Sequence, residues 1–309
     1  MNTRGVSKQT EISDIMQSIR DDIQPEYTKR KVIYMKSALN AWSVKGDSDF
    51  ETAIRDVKAA GFDGIEFNVD ASGTHALTVD ITDSELAKIA SLSEKYDLPV
   101  VSISTSLWGG HMGIGSDDEI EASRKILNAQ LRCAKALGAG GVLIVPGGMS
   151  DTISLKQAYD NCQKTLKALR GDIEKYKINV GVENVWNGFF TSPFDMANFI
   201  DALDCEYIGA YYDIGNTIAF SRTEDWIDIL GSRIKNAHIK GFRRKSGINN
   251  GGDWVDISKS NIDWKRVRAA LDAAGYTGYI TGEVSKTDPD MSWSDYYRMV
   301  CGEIDDIVK

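Results

Sequence analysis

The stretch Asn179-Val180-Gly181-Val182-Glu183-Asn184 is a short apolar run that ends directly before a carboxylate. Three later stretches also place a side chain that can bind a metal at or just after the end of a strand-like run: Tyr212-Asp213-Ile214-Gly215-Asn216, Ala237-His238-Ile239-Lys240 and Thr281-Gly282-Glu283-Val284. In a barrel of parallel strands, the carboxyl ends of all strands meet at one rim, where barrel enzymes hold their catalytic residues. The pattern therefore predicts three carboxylates and one imidazole that converge on a single site.

From residue 31 onward, strand-like runs alternate with helical segments. The strand candidates are Lys31–Lys36, Gly64–Phe67, Val100–Ser104, Gly141–Val145, Asn179–Val182, Tyr207–Tyr212, Ile234–Ala237 and Gly278–Thr281. The helical segments are Asp49–Ala60, Ser84–Tyr96, Asp118–Leu137, Leu155–Tyr176, Pro193–Ala202, Glu224–Leu230, Trp264–Ala274 and Ser292–Val308. Strands that alternate with helices in this way predict an α/β fold, a parallel sheet closed into a (β/α)8 TIM barrel.

Residues 1–30 precede this alternating pattern. Within them, Ile12–Ile19 has the spacing of a short amphipathic helix. No linker rich in Pro or Ser interrupts the chain after position 30, so we expect an N-terminal extension over residues 1–30 and one catalytic barrel domain over residues 31–309. A role of the extension in subunit contact, and with it a homo-oligomer, is an open alternative.

The composition of the 309-residue chain excludes several functional classes. An excess of 45 acidic over 36 basic residues gives a net charge of −9, which disfavours nucleic acid as a partner. No apolar run reaches the roughly 18 residues that span a bilayer, and the polar start has no signal-peptide core, so we expect a cytoplasmic protein without a membrane partner. Cys133 and Cys162 fall in helical segments without a CxxC pair, which indicates packed thiols in a reducing compartment.

The four metal-capable side chains, Glu183, Asp213, His238 and Glu283, form a mostly oxygen donor set. Such a set suits Mn²⁺, Mg²⁺ or Co²⁺ better than a metal that prefers thiolates. A divalent ion bound to the oxygens of a keto sugar polarises the carbonyl and stabilises the enediolate that is left when the adjacent carbon loses a proton. With two carboxylates on opposite sides of the sugar, one could remove a proton while the other returns one to the opposite face.

These stretches resemble the sugar-phosphate isomerase/epimerase family, which has the xylose-isomerase-like barrel and includes the ketose 3-epimerases and L-ribulose-5-phosphate 3-epimerase. The resemblance covers about residues 31–300 and rests on the order of five motifs: Gly61-Phe-Asp-Gly-Ile-Glu66, Gly181-Val-Glu-Asn184, Tyr212-Asp-Ile-Gly-Asn216, His238-Ile-Lys240 and Gly275-Tyr-Thr-Gly-Tyr-Ile-Thr-Gly-Glu283. It implies an isomerase that binds a divalent metal, Mn²⁺ before Mg²⁺ or Co²⁺, through Glu183, Asp213, His238 and Glu283. It also implies that Glu183 and Glu283 double as the acid/base pair.

The chain departs from the epimerases of free ketoses at two positions. Those enzymes have a histidine three residues after the metal-binding aspartate, where this chain has Asn216, and a second glutamate six residues after the first ligand, where it has Phe189. Arg244, six residues after His238, matches their substrate-binding arginine. The Asn216 form is closer to the phosphopentulose epimerases, although no glycine-rich phosphate loop is present in the sequence. Free and phosphorylated sugars therefore both remain candidate substrates.

Seven side chains are predicted to contact the sugar because each follows a strand on the active rim or matches the family: Glu66, Trp108, His111, Trp186, Asn216, Lys240 and Arg244. Most of them also have a structural interpretation. Glu66 suits a buried ion pair as well as a sugar hydroxyl, the tryptophans suit packing, and Lys240 suits a solvated strand end. His111 is a substrate contact, an auxiliary base or an ordinary loop histidine.

The leading hypothesis is an epimerase or isomerase of a keto sugar or keto-sugar phosphate. The main alternative is β-elimination from a 3-keto glycoside, as in the C-glycoside deglycosidases, which resemble this barrel and work with a small second subunit. A repair endonuclease of the same superfamily is less consistent, because its zinc site needs many histidines and this chain has only His75, His111 and His238. A non-catalytic sugar-binding barrel is disfavoured because none of the four metal ligands is missing.

Overall fold

Eight parallel strands close into a barrel in the computed structural model, which describes residues 35–247 and 250–309. The barrel strands are β1 (Lys36–Asn40), β2 (Gly64–Val69), β3 (Val100–Thr105), β4 (Gly141–Ile144), β5 (Asn179–Glu183), β6 (Ile208–Asp213), β7 (Ile234–Ile239) and, after the two strands of a separate hairpin, β10 (Tyr279–Gly282). Neighbours follow the order β1-β10-β7-β6-β5-β4-β3-β2, so each strand pairs with its neighbours in the chain and the last pairs with the first. The predicted (β/α)8 barrel is confirmed.

Helices connect the barrel strands: α1 (Phe50–Ala60), α2 (Asp83–Lys95), α3 (His111–Ile114), α4 (Asp117–Leu137), α5 (Leu155–Tyr176), α6 (Pro193–Asp201), α7 (Ile214–Thr217), α8 (Thr223–Leu230), α9 (Trp264–Ala273) and α10 (Trp293–Val308). All eight predicted helices are present, and α3 and α7 are additional single turns. Gly61 and Gly138 end α1 and α4 with left-handed backbone angles that favour glycine. Among the residues that the structure describes, no helix is both long and apolar enough to cross a lipid bilayer.

The first strand begins later than predicted, at Lys36 instead of Lys31. Residues 31–34, the predicted extension over residues 1–30 and its Ile12–Ile19 helix lie outside the described residues. The residues after Lys36 form the strand because their backbones pair with β10 on one side and β2 on the other, with Asn40 opposite Glu66. The prediction favoured the more apolar run that precedes them. Residues 35–309 form one compact unit.

An antiparallel hairpin follows β7 and was not predicted. It consists of β8 (Gly241–Arg244) and β9 (Gly252–Val255), which form a two-stranded sheet apart from the barrel. Its strands are short and largely polar, so they lack the apolar run that marks the barrel strands. The hairpin places its side chains beside the carboxyl end of β7.

The helices pack on the barrel through buried apolar side chains. Cys133 on α4 and Cys162 on α5 are free, fully buried thiols, as predicted. Burial raises the pKa of Cys133 to about 11 and that of Cys162 to about 12, so both stay protonated and unreactive at neutral pH.

The interior of the barrel contains a layer of polar side chains below the rim. Gly181 on β5 makes room for one of them, because a Cβ atom at this position would lie 2.7 Å from Cβ of Tyr211 on β6. Tyr211 is buried and its hydroxyl group donates to Glu66 of β2. The glycine of the Gly-Val-Glu-Asn motif thus has a packing role that is separate from the carboxylate two residues later.

Candidate metal centre

Four strand ends bring Glu183, Asp213, His238 and Glu283 together at the carboxyl rim of the barrel. Glu183 and Asp213 are the last residues of β5 and β6, His238 is the penultimate residue of β7, and Glu283 follows β10 directly. The strand register places Asp213 opposite His238, and His238 opposite the residue two before Glu283. Each side chain offers one ligand atom, and these atoms all lie within 4.8 Å of one another. The predicted convergence of three carboxylates and one imidazole is therefore present.

The two nitrogens of His238 have different surroundings. Nε2 lies 2.7 Å from Oε1 of Glu66 and donates to it, because a carboxylate oxygen can only accept. Nδ1 is buried without a hydrogen-bond partner among the described residues, 3.5 Å from Oε1 of Glu183 and 3.3 Å from Oε2 of Glu283. With the proton fixed on Nε2, Nδ1 is the nitrogen that is free to bind a metal.

Glu66 is positioned behind His238 and does not line the pocket. Its side chain is fully buried, and Oε1 accepts from Asn40 Nδ2 as well as from His238, while Oε2 accepts from Ser102 Oγ and Tyr211 Oη. Burial would raise the pKa of Glu66, but His238 and these donors outweigh burial and lower it. Both oxygens of Glu66 accept hydrogen bonds within the protein, which favours its interpretation as a buried ion pair over a contact with a sugar hydroxyl.

The two oxygens of Asp213 also have different surroundings. Oδ1 accepts from the backbone N–H of Asn216 at 2.8 Å and so caps α7. Oδ2 lies 2.9 Å from Nζ of Lys240, but not in a direction that makes a hydrogen bond. Asn184 fixes the backbone of Asp213 from β5, since its side chain accepts from the Asp213 N–H and donates to the Asp213 carbonyl, both at 2.9 Å. The sequence did not identify this role of Asn184.

Two cations neutralise part of the carboxylate charge. Lys240 Nζ lies 2.7 Å from Oε2 of Glu283, and burial, which would lower the Lys240 pKa, is outweighed by Asp213 and Glu283, which raise it. Burial likewise opposes the positive charge of His238, but Glu66 and the other carboxylates raise its pKa well above the usual value. Both side chains are therefore positively charged in the metal-free protein at neutral pH, and a metal that binds Nδ1 of His238 would take the place of the proton on that nitrogen.

The two glutamates of the cluster have opposite pKa shifts. Burial raises the pKa of Glu183 to about 7, and the negative charge of Glu283 adds to this effect. Burial acts on Glu283 as well, but Lys240 and His238 more than offset it and lower the pKa to about 2. Below about pH 7, Glu183 is therefore mostly protonated while Glu283 stays ionised.

The donor set fits a divalent ion. Three carboxylates and one imidazole are hard ligands of the kind that Mn²⁺, Mg²⁺ and Co²⁺ accept. His238 Nδ1 and Asp213 Oδ2 are buried without hydrogen bonds among the described residues and face the other ligands. A buried polar atom without a partner is rare in folded proteins, and a metal ion at this position would satisfy both atoms.

Two predicted sugar contacts besides Glu66 are buried in the protein framework. Trp108 is only 1% exposed, and its indole N–H points to the carbonyl of Leu143 at 3.4 Å. Asn216 is 5% exposed, and its side chain donates to the carbonyl of Asn184 at 3.0 Å. The burial of Trp108 favours its packing interpretation over a contact with the sugar. Through its hydrogen bond to Asn184, Asn216 links the ends of β5 and β6, where Glu183 and Asp213 lie.

Three of the other predicted contacts lie closer to solvent. Trp186 is 46% exposed and its indole N–H donates to the carbonyl of Asn216 at 3.0 Å. Arg244 is half-buried at the end of β8. His111 begins α3, and its Nδ1 lies 2.5 Å from Oε2 of Glu119. Contacts of these side chains with a sugar stay predictions.

A cavity of about 230 Å³ opens beside the cluster. Its lining includes Trp42, Trp254, Lys240 and Glu283. The sequence did not identify Trp254, because it lies on the unpredicted hairpin. The stretch Gly251-Gly252-Asp253-Trp254, in which a glycine pair and an aspartate precede a tryptophan, is the signal that could have indicated a turn with an exposed aromatic side chain.

Comparison with known proteins agrees with this geometry. The family described as xylose isomerase-like TIM barrel matches residues 54–298, more than half of the chain. No curated protein matches the sequence. Among solved structures, a D-tagatose 3-epimerase-like protein is 18% identical, with a TM-score of 0.71 over 89% of this chain and 98% of that protein.

Two further structures have the same barrel. The D-allulose 3-epimerase of Methylomonas sp. in complex with D-allulose is 17% identical, with a TM-score of 0.69 over 89% of this chain and 97% of that enzyme. The 3-keto-D-glucoside 4-epimerase of E. coli is 16% identical, with a TM-score of 0.65 over 85% of this chain and 99% of that enzyme. At these identities the likeness establishes the fold, whereas the family match extends over most of the sequence. The chain belongs to the xylose isomerase-like TIM barrel family.

Proposed function

We propose that this protein is a divalent-metal-dependent epimerase of a keto sugar that acts through an enediolate. The observation that carries the proposal is the unpartnered Nδ1 of His238, which faces Glu183 and Glu283 at the active rim of the barrel. Three solved structures with the same fold are named as sugar epimerases or as similar to one, which supports the same reaction class.

We propose Mn²⁺ as the ion, with Mg²⁺ and Co²⁺ as alternatives, held by Glu183, Asp213, His238 and Glu283. When bound, such an ion would polarise the carbonyl and the neighbouring hydroxyl group of a keto sugar and would stabilise an enediolate. Glu66 holds the proton on Nε2 of His238, so that Nδ1 is the nitrogen that would bind the metal, and Asn184 holds the backbone of Asp213 in place. These two residues therefore position ligands and do not touch the substrate.

Glu183 and Glu283 are the proposed proton-transfer pair. Their strands, β5 and β10, are separated in the barrel by β6 and β7, so the two carboxylates approach the rim from different sides. A sugar bound between them would present one face of the carbon beside its carbonyl to Glu183 and the opposite face to Glu283. One carboxylate removes the proton from that carbon, and the other delivers a proton to the opposite face, which inverts the configuration.

The same residues would serve β-elimination from a 3-keto glycoside, because that reaction also begins with loss of a proton beside a carbonyl. The cavity next to Glu283 supports this second candidate as well, since it leaves room for a substituent on the sugar. The products separate the two reactions: epimerisation retains the substituent, whereas elimination releases it.

The test is proton exchange with solvent. Keto sugars with and without phosphate are incubated in deuterated water with Mn²⁺, and the product is analysed by mass spectrometry and NMR. We expect deuterium at the epimerised carbon, and no turnover in an Asp213→Ala variant. An Asp160→Ala variant, which changes an exposed aspartate on α5, is the matched control and keeps full activity. Epimerised product without deuterium would indicate hydride transfer, and the roles of Glu183 and Glu283 would then be wrong.

A further inference from the structure

The cavity of about 230 Å³ lies to one side of the metal centre. Of the four cluster residues, only Glu283 is among its lining residues, and Lys240 also contributes to its wall. The cavity is therefore a neighbour of the site where the keto group would be bound. A substituent on the keto sugar that points towards Glu283 would enter it.

Two tryptophans form walls of this cavity and are held in place without being buried. Trp42 is 44% exposed, and its indole N–H donates to Oδ2 of Asp70 at 2.8 Å. Trp254 is 49% exposed and packs against Phe242 and Trp186, with ring centroids 4.9 Å and 5.0 Å apart. Exposed aromatic rings that are fixed by their neighbours are typical of ligand sites. Their flat faces match the apolar C–H face of a sugar ring.

The charge of the cavity argues against a phosphate group. Among the described residues that line it, Lys240 is the one cation, and its Nζ is paired with Asp213 and Glu283 at 2.9 and 2.7 Å. A phosphate needs cationic or N–H donors that are free to bind it, and it would be repelled by Glu283. The other polar lining groups include the hydroxyl of Ser285, which suits the hydroxyl groups of a neutral sugar, and the hydroxyl of Thr287, which donates to Oδ1 of Asp256 at 2.7 Å and can still accept a hydrogen bond.

We propose that this cavity binds a neutral sugar unit joined to the keto sugar, so that the substrate is a keto-glycoside and not a keto-sugar phosphate. The inference rests on the proposed function, because Glu283 belongs to both sites. Trp42 and Trp254 stack on the added sugar ring, and the metal centre holds the keto-sugar ring.

Binding of matched sugars to the Mn²⁺-loaded protein tests the proposal. D-fructose, D-tagatose, D-psicose and 3-keto-D-glucose are each compared in free, phosphorylated and glucosylated form by isothermal titration calorimetry, with isomaltulose as the glucosylated form of D-fructose. The tightest ligand is expected to be a glucosylated form, bound about tenfold or more tightly than the free form of the same sugar. The proposal is overturned if a phosphorylated or a free form binds tightest, or if none of the sugars binds.

Tryptophan variants test whether Trp42 and Trp254 cause the higher affinity for the glucosylated sugar. Trp254→Ala and Trp42→Ala should each remove most of the gain for the glucosylated sugar and leave the affinity for the free sugar unchanged, whereas Trp254→Phe keeps the gain. Phe194→Ala, which removes a 62% exposed aromatic ring that does not line this cavity, is the control. Equal weakening of free and glucosylated sugars by Trp254→Ala would overturn the proposal.

The outcome distinguishes this inference from the proposed function. If only the inference fails, free keto sugars still take up deuterium and the tryptophan variants change nothing. If only the proposed function fails, the glucosylated sugar binds with the expected gain but no deuterium enters it.

Discussion

The polar layer inside the barrel and the cluster at its rim share one residue, His238, and differ in how their hydrogen bonds are satisfied. In the inner layer, each carboxylate oxygen of Glu66 accepts two hydrogen bonds. At the rim, His238 Nδ1 and Asp213 Oδ2 are buried without a hydrogen bond among the described residues. Glu66 needs no further partner, whereas the rim offers two ligand atoms that a divalent ion could bind once Lys240 gives way.

This difference indicates that the inner layer positions His238, whereas the rim cluster binds the metal. An unsatisfied buried polar group costs about 1–3 kcal/mol, so it is retained where a ligand completes it. Below the rim, Glu66 fixes the orientation of the His238 ring and the proton on its Nε2. We infer that the inner layer orients His238 so that its Nδ1 can bind a metal at the rim.

Removal of a rim ligand should have the largest effect. Asp213→Ala or His238→Ala is expected to abolish both Mn²⁺ binding and turnover, because each deletes a ligand that no neighbour can replace. The loss of metal affinity should exceed the roughly 10–100-fold that changes behind the ligands cost. Metal content and circular dichroism of the purified variants check this. A folded variant that retains one Mn²⁺ per chain would contradict the assignment.

Removal of charge from the proton-transfer pair should affect turnover more than metal binding. Glu183→Gln and Glu283→Gln are each expected to lower kcat by about 10²–10⁴-fold, because an amide cannot exchange a proton. Mn²⁺ should remain bound with lower affinity, since the amide oxygen can still coordinate. Steady-state kinetics at saturating Mn²⁺ measures this. An active Glu283→Gln enzyme would move the base to another residue, and His111 is the next candidate.

Disruption of the inner layer should weaken the rim without removing a ligand. Glu66→Gln is expected to lower Mn²⁺ affinity by about 10–100-fold, because His238 loses the carboxylate that holds its Nε2 proton. Titration calorimetry checks the affinity, and the visible spectrum of the Co²⁺-substituted protein should change shape. Unchanged affinity in a variant that is merely less stable would show that Glu66 has a packing role alone.

The protonation of Glu183 should give the smallest effect. Burial, together with the charge of Glu283, raises its pKa to about 7 in the metal-free protein, so Glu183 carries a proton below that pH. A metal binds the ionised carboxylate, and Mn²⁺ affinity should therefore fall by about tenfold or more as the pH is lowered from about 8 to about 6. Calorimetric titrations across this range measure it, with Glu183→Gln as the variant that lacks this titration. Mn²⁺ affinity that rises towards low pH would contradict the raised pKa of Glu183.

The sequence predicted the barrel from the alternation of strand-like runs with helical segments. It predicted the rim cluster from the residues at the strand ends. Glu183 and Asp213 are the last residues of their strands, so a short apolar run followed by a carboxylate was sufficient to place them. Glu66 follows an equally short run, but β2 continues for three residues beyond it, to Val69. Glu66 therefore lies one layer deeper, and only the register with Asn40 and Ser102 reveals this.

Trp108 and Trp254 show a second limit of the sequence. The loop after β3 turns into α3 and buries Trp108, although its position in the chain suggested the pocket. Trp254 lies on a hairpin whose short polar strands carry no apolar pattern, and it reaches the pocket through packing on Phe242. Side chains on loops and hairpins are placed by tertiary contacts, which local pattern does not encode.

The most direct test of the account is an anomalous difference map from crystals of the protein grown with Mn²⁺. The account predicts one manganese peak at about 2.0–2.4 Å from His238 Nδ1 and from an oxygen of each of Glu183, Asp213 and Glu283. His238 Nε2 should remain hydrogen-bonded to Glu66, and Lys240 should have moved away from Asp213. A manganese ion bound through Nε2, or no peak among these four side chains, would contradict the account.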